Sequence, residues 1–414
     1  MPFRRRLRRI KSFIDEYPHH FWTIVATTFI DRLGGALLFP FFTLYITRKF
    51  NVGMTTVGLL FGIFAITGMV GSTIGGALAD RIGRKPMLLF GLIFSALSTL
   101  WMGLINDFNL FLSGTVIVGL LSSVGGPAQQ AMVADILPDQ QRAQGFGILR
   151  VTLNLAVTIG PAIGGFLAAQ SYLFLFISDA VASTIVAVIV FFILPETRPV
   201  WPTSKPRESF ALTFSGYGKV LRDSLFMTFI GASILVVIVY AQMNSTLAVY
   251  LRDVHQVTEQ GFGYILSLNA AMVVVFQFAI TRRITKYPPM AVLATASVLY
   301  AIGFAMYGWV TAYSAFLLAM VIITIGEMLH VPVSQALVAR LAPEDMRGRY
   351  MAVSGLSWAI PFALGPLFAG LIMDNTDPRW VWYAAGIVGL VAASIFLLLF
   401  RRVEQPREIE LSPP

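Results

Sequence analysis

Twelve stretches of mostly apolar residues decide what this chain can become. They run over 21–47, 57–79, 87–106, 109–137, 146–169, 172–194, 225–252, 262–281, 289–310, 313–341, 349–373 and 380–400. Each reaches the ~20 residues that a helix needs to cross a ~30 Å hydrocarbon layer. Backbone N–H and C=O groups have no water partners in lipid, so a spanning segment must satisfy them internally, and helices do so. The expected fold class is therefore an all-α integral membrane protein with twelve transmembrane helices. Charged residues make up 12% of the chain, about half the ~25% of a soluble domain, so its apolar surface is expected to face lipid.

The longest polar interruption, 195–224, carries Pro195, Pro199, Pro202 and Pro206. It reads as a linker between bundles at 21–194 and 225–400, with a basic segment 1–20 before them and a tail 401–414 after. The net charge of +9 is placed as a topology signal, and nucleic acid is not an expected partner. With twelve spans, 24 Lys and Arg fall on the side of both termini and 4 on the other. That bias predicts cytoplasmic termini in a cell inner membrane. The basic N-terminus leads into a full-length apolar segment, so no cleavable signal peptide is expected. With no cysteine, thiol catalysis and Cys-based metal sites are excluded. No phosphate-binding loop of the G-x-x-x-x-G-K-[ST] type is present, so energy must come from an ion or substrate gradient. No metal, cofactor or enzymatic triad is expected.

The two halves repeat. At an offset of 205, Tyr45 meets Tyr250, Gly58 meets Gly263, Pro127 meets Pro332, Arg142 meets Arg347, and Gly160-Pro161 meets Gly365-Pro366. Parallel six-helix repeats imply two pseudo-symmetric bundles about an axis along the membrane normal.

The loop after the second span reads Gly76-Ala77-Leu78-Ala79-Asp80-Arg81-Ile82-Gly83-Arg84-Lys85-Pro86. It closely resembles the signature G-x-x-x-D-R-x-G-R-[RK] of the major facilitator superfamily. Gly160-Pro161-Ala162-Ile163-Gly164-Gly165 resembles the fifth-helix motif of that family's drug:proton antiporter branch. The resemblance covers all twelve spans and implies the major facilitator fold, normally a monomer. It implies a proton-coupled antiporter exporting lipophilic or cationic drug-like compounds by alternating access. A nutrient or metabolite uniporter or symporter, and a lipid-handling or ligand-sensing membrane protein, are the alternatives. The branch's fourth-helix arginine is missing here, with Thr115 in its place.

The expected partners are a small-molecule substrate, protons and the lipid bilayer. Intramembrane charge marks function by default, so Glu327 and Asp31 are the candidate proton-coupling residues, a static salt bridge being the alternative. The candidate cavity residues are Arg150, Asn154, Arg32, Phe39, Asn269 and Gln277. Arg150 is expected about one turn from the cytoplasmic end of its helix, supplying the missing positive charge by pairing with a carboxylate. The gate candidates are Gly76, Asp80, Arg81, Gly83, Arg84, Asp135, Arg142, Arg347 and Arg349. By resemblance, Asp80 sits near Arg349 at the start of the eleventh span. Asp135, Arg142 and Arg347 are expected to join Asp80 in a cytoplasmic charge network. Gly76 is read as a site of close helix approach and Gly83 as a tight turn. Asp179 reads as structural and His330 as a packing histidine.

Overall fold

The computed structural model describes residues 14–198, 217–343 and 346–404. The basic run through Lys11, most of the linker and the tail from 405 lie outside the described residues, as does the side chain of Arg347. Twelve described helices are long and apolar enough to span a membrane. They are α1 (His19–Phe50), α2 (Met54–Ile82), α3 (Arg84–Leu104), α4 (Phe108–Ile136), α5 (Asp139–Gln170) and α6 (Tyr172–Ile193). The second set is α7 (Ser224–His255), α8 (Glu259–Ile284), α9 (Pro289–Met306), α10 (Tyr313–Leu341), α11 (Arg349–Asn375) and α12 (Trp380–Arg401).

The chain divides into two compact units. Unit 1 contains Met1–Val52, Leu59–Ser204 and Thr258–Ser267; unit 2 contains Gly53–Gly58, Lys205–Val257 and Leu268–Pro414. In unit 1, α1 packs on α5 and α6, and α3 packs on α6. Its interior is apolar, with Phe21, Met132 and Val190 fully buried. In unit 2, α9 packs on α10 and α12, and α7 on α11 and α12. The outer faces are the reverse of a soluble protein's, with Phe278 81% and Phe192 77% exposed. These faces suit hydrocarbon.

The repeat holds at atomic detail. The Tyr45 hydroxyl donates to the Met102 carbonyl at 2.6 Å, and Tyr250 donates to the Tyr307 carbonyl at 2.8 Å. Both acceptors lie 57 residues on. Asn51 and Gln256, equivalent at the same offset, take the left-handed conformation with φ of 50° and 54°, stopping α1 and α7 in the same way.

The repeat fails where local chemistry differs. Three 3₁₀ residues, Phe39–Phe41, interrupt α1 because Pro40 has no N–H to continue the ladder; α7 has Ser245 there and runs unbroken. α4 breaks at Ser123–Val124. Pro127 cannot donate to the Ser123 carbonyl, and Gly125-Gly126 beside it weakens the turn. α10 carries the equivalent Pro332 but has His330 and Val331 before it, and it stays continuous.

Candidate functional site

The chemistry lies in each unit separately. In unit 2, Glu327 stands fourteen residues into α10, about 21 Å along its axis, and is half-buried. Tyr240 of α7 donates its hydroxyl to Glu327 Oε1 at 3.1 Å. Asn269 of α8 donates to Oε2 at 2.8 Å and to Thr324 Oγ1 at 3.0 Å. All these donors are neutral, and among the described residues Glu327 forms no ion pair. Such a carboxylate can take up a proton without breaking a salt bridge. Asn269 is thus brought to the acid. Gln277 is not: it donates to Thr281 and to the Met328 carbonyl, joining α8 to α10 as helix-packing glue. His330 is buried at 3% exposure with its Nε2 unpartnered and its ring against Tyr300, as a packing histidine would be.

In unit 1, α1, α2, α3, α4 and α6 line an open cavity of about 780 Å³. Asp31, Arg32 and Asp179 line it, together with Ser72, Ser95 and Ser183. Ser183 shares this wall with Asp31, and the charges of Arg32 and Asp31 act on each other. Asp179 is 9% exposed and accepts from Thr99 at 2.9 Å. It also feels the charge of Asp31. Sequence reasoning placed Asp179 as structural; the fold brings it to Asp31. The signal for that was its position seven residues into a helix with no other charged residue. Gly34 permits the approach, since a Cβ there would lie 2.8 Å from Asp179 Oδ1.

Arg150 differs from its expectation. α5 starts at Asp139, directly after Pro138, so Arg150 lies about three turns in. Among the described residues it forms no ion pair. Asn154 is exposed on the same helix. Phe39 is 41% exposed and stacks edge-on against Phe61 at 5.9 Å.

The loop joining α2 to α3 is an organised charge cluster. Asp80 pairs with Arg84 of its own motif, and Arg84 also reaches Asp135 at 3.4 Å. Arg84 is 9% exposed. Arg142 stands outside this network. It donates to the Ala134 and Leu137 carbonyls, closing α4, and pairs with Asp139 at 2.6 Å. A cation at a helix C-terminus is favoured there. Arg81 offers its carbonyl to Arg198 at 2.5 Å. Arg349 sits in the first turn of α11. Gly83 has φ of +131°, as the tight turn requires. Gly76 does not make the expected close approach, because an added Cβ would meet only Pro127 Cβ at 3.6 Å.

Sequence reasoning missed Glu196. Its two carboxylate oxygens accept from the Arg84 and Lys85 backbone N–H groups at 2.9 and 3.1 Å, capping α3 from 111 residues away. Partial burial pushes the Glu196 carboxyl up, but the N–H groups of Arg198, Arg84, Lys85 and Thr197 outweigh it and hold it below the usual range. Its stabilisation is therefore complete above ~4.3, the unfolded value, and fades as pH falls through the lower folded value. Glu196→Gln is expected to lower stability by about 1 kcal/mol at neutral pH, as losing a cap does. Thermal unfolding at pH 7 and pH 4 checks this, with a smaller gap between the two proteins at pH 4. An equal gap at both would show that the charge contributes nothing.

Two further acids cap or tie helix ends. Glu259 accepts from Arg48 at 3.1 Å and from Tyr172 at 2.8 Å, all within unit 1. Asp374 accepts from the Met54 and Thr55 N–H groups at 2.9 and 2.8 Å in unit 2. In unit 1 a Cβ on Gly165 would lie 3.1 Å from Gly263 Cα, one on Gly164 would lie 2.9 Å from Phe41, and one on Gly160 would meet the Ala36 backbone. Pro161 presents its carbonyl 2.9 Å from the Cβ position of Gly263. The glycines of this segment thus work as packing surfaces.

The family model described as Major Facilitator Superfamily matches residues 24–327 and 243–413. A Na(+), Li(+), K(+)/H(+) antiporter of Planococcus maritimus is 28% identical over 389 residues, covering 87% of this chain and 89% of that protein. The multidrug resistance protein MdtH of Shigella flexneri is 24% identical, covering 91% and 92%. Among solved structures, a POT family transporter in complex with 5-aminolevulinic acid aligns with a TM-score of 0.76 at 18% identity, covering 94% of this chain and 97% of that one.

Proposed function

The chain belongs to the major facilitator superfamily, and from that premise we propose that it is a proton-coupled antiporter exporting lipophilic or cationic compounds by alternating access. Its relatives are transporters, and it is a multi-pass membrane transporter rather than an enzyme. The observation that carries the finer reading is Glu327, a carboxylate deep in a membrane helix held, among the described residues, by neutral donors alone. An unpaired charge in the bilayer is costly, and binding a proton removes that cost. Proton loss on one side of the membrane and uptake on the other then supply the coupling. The relative named as a multidrug resistance protein supports an organic substrate. The Planococcus relative favours a second reading, exchange of alkali cations for protons.

The bias of Lys and Arg supports an inner membrane location with both termini cytoplasmic. Asp80, Arg81, Gly83, Arg84 and Asp135 are proposed as the cytoplasmic gating loop. Arg142, Arg347 and Arg349 are proposed as its flanking charges. The resemblance of Gly160, Pro161, Gly164 and Gly165 to an antiporter motif supports export over uptake.

The test uses purified protein in proteoliposomes with the lumen acidic. Uptake of a fluorescent lipophilic cation and lumenal pH are followed together, with sodium and potassium assayed in parallel. Cation entry accompanied by proton exit is the expected result. Substrate movement that ignores the pH gradient would replace antiport with facilitated diffusion.

A further inference from the structure

The two repeats treat charge differently at their helix ends. In unit 1, Arg84 is matched by Asp80 and Asp135, so an arginine of the turn between α2 and α3 finds its counter-charge within the chain. The turn between α8 and α9 is the equivalent place in unit 2. Over 282–288 it carries Arg282, Arg283 and Lys286 and no acid. At the repeat offset of 205, Asp135 is replaced by Arg340 at the end of α10. All four cations are exposed, and among the described residues none of them forms an ion pair. Asp223 is the one carboxylate among the described side chains at that end of unit 2. It is occupied, accepting from the Phe226 N–H at 3.0 Å and the Tyr350 hydroxyl at 2.8 Å. Glu344 and Asp345 lie outside the described residues.

The surface that leads to these cations is apolar. Val275, Phe278 and Arg282 stand at i, i+3 and i+7 of α8, on one face of the helix. Val275 and Phe278 are both exposed, so an apolar stripe runs straight into a guanidinium. Tyr287, exposed beside Lys286, is a residue type that suits the boundary between hydrocarbon and headgroups. The C-terminus of α8 itself favours cations in its last turn, where Arg282 and Arg283 lie, but it offers only about half a negative charge. Three full positive charges remain largely unmatched. A free anion or an acidic peptide would answer the charge alone. A phospholipid of net negative charge answers both parts, its phosphate at the cations and an acyl chain along the stripe.

We propose that this end of α8 is a binding site for an anionic phospholipid, with Arg282, Arg283 and Lys286 holding the headgroup phosphate and Val275 and Phe278 lying along an acyl chain. Arginine and lysine give phosphate oxygens charge-assisted hydrogen bonds, and basic clusters at the ends of membrane helices hold anionic headgroups in this way. The site belongs to the surface of unit 2 and does not depend on what the chain transports. Loss of the antiport reading leaves it standing, and its own failure leaves the Glu327 chemistry untouched.

The experiment uses the full chain, delipidated in detergent micelles and titrated with dioleoyl phosphatidylglycerol or with phosphatidylcholine of the same acyl chains. Bound lipid is counted by native mass spectrometry, and the unfolding midpoint is recorded beside it. Retention of phosphatidylglycerol over phosphatidylcholine, with a saturable rise in midpoint, is expected. Arg282→Gln combined with Lys286→Gln is expected to weaken phosphatidylglycerol binding by ~10-fold or more, since each cation near an anionic headgroup contributes a factor of about five. Lys286→Gln alone, expected to weaken it ~5-fold, serves if the double variant does not fold. Arg222→Gln combined with Arg401→Gln removes the same charge from exposed positions at the start of α7 and the end of α12, and it is expected to leave binding near the wild type. Equal loss in the two double variants would reduce the effect to general surface charge and overturn the proposal. So would equal retention of the two lipids by the wild type, or displacement of phosphatidylglycerol by inorganic phosphate, which would make this a free-anion site.

Discussion

Glu327→Gln is expected to lower proton-coupled transport sharply while leaving the protein folded. Glutamine keeps the volume and the oxygen that accepts from Asn269, and its amide can turn its NH₂ toward the Tyr240 oxygen, so the contacts from α7 and α8 have neutral equivalents. What disappears is the capacity to lose and regain a proton. Gradient-driven accumulation should fall by roughly 5–150-fold, the range spanned by one coupling free energy between sites. Asn269→Ala should fall between the two proteins, because it removes one donor and leaves the acid in place. The measurement is lumenal pH and substrate uptake in the same vesicles. Wild-type proton exit in Glu327→Gln would assign the carboxylate a structural role and move the coupling elsewhere in the chain.

That prediction rests on a contrast between the two repeats. Where α10 carries Glu327, the position 205 residues earlier is Ser122. Where α1 carries Asp31, the later repeat has Val236, and opposite Asp179 it has Ala384. The scaffold is duplicated down to the Tyr45 and Tyr250 hydrogen bonds, but the intramembrane acids are not. Each unit therefore carries a different chemistry on the same frame. Packing constrains the frame in both copies, whereas ionisable groups in lipid persist only where function needs them.

Much of this was legible from residues alone, because lipid imposes simple rules. Twelve apolar lengths, an offset of 205 and a loop signature are properties of sequence order, and Glu327 and Asp31 stand out by charge against an apolar background. What escaped was contact made over long distances in the chain. Glu196 caps α3 from the far side of α6, and no local pattern announces an acid that serves a helix 111 residues earlier. Asp179 seemed structural on its own and gained its neighbour only when α6 packed on α1. Arg150 was misplaced along its helix because the polar turns from Asp139 continue the helix outside the apolar stretch. Hydropathy marks where the lipid begins, not where the helix begins. Arg142 matched its counterpart in the repeat, yet its guanidinium went to carbonyls at the end of α4, a choice set by geometry that spacing does not encode.

The glycines of α2 separate motif from mechanics, and they carry the second large effect. Gly71→Val is expected to destabilise unit 1 severely, whereas Gly76→Ala, inside the family signature, should be tolerated. A Cβ on Gly71 would overlap the Leu120 carbonyl oxygen and lie 2.7 Å from its carbon. On Gly75 it would fall 2.6 Å from Val124 Cα. Those obstacles are backbone, which cannot rotate aside as a side chain can. Membrane helices associate through close packing of small residues rather than through hydrophobic exclusion, so separating α2 from α4 removes the contact itself. Overpacking typically costs ~1–3 kcal/mol, and Gly71→Val should lie at the upper end because the branched side chain meets main chain. Gly76→Ala places its methyl in ordinary contact with Pro127 and should shift stability by less than ~0.5 kcal/mol. Thermal unfolding of both variants in detergent decides the matter. If Gly76→Ala loses more stability than Gly71→Val, the α2–α4 packing described here is wrong. If Gly76→Ala keeps its stability and loses transport, the signature glycine serves the motion of the loop and not the packing of the helix.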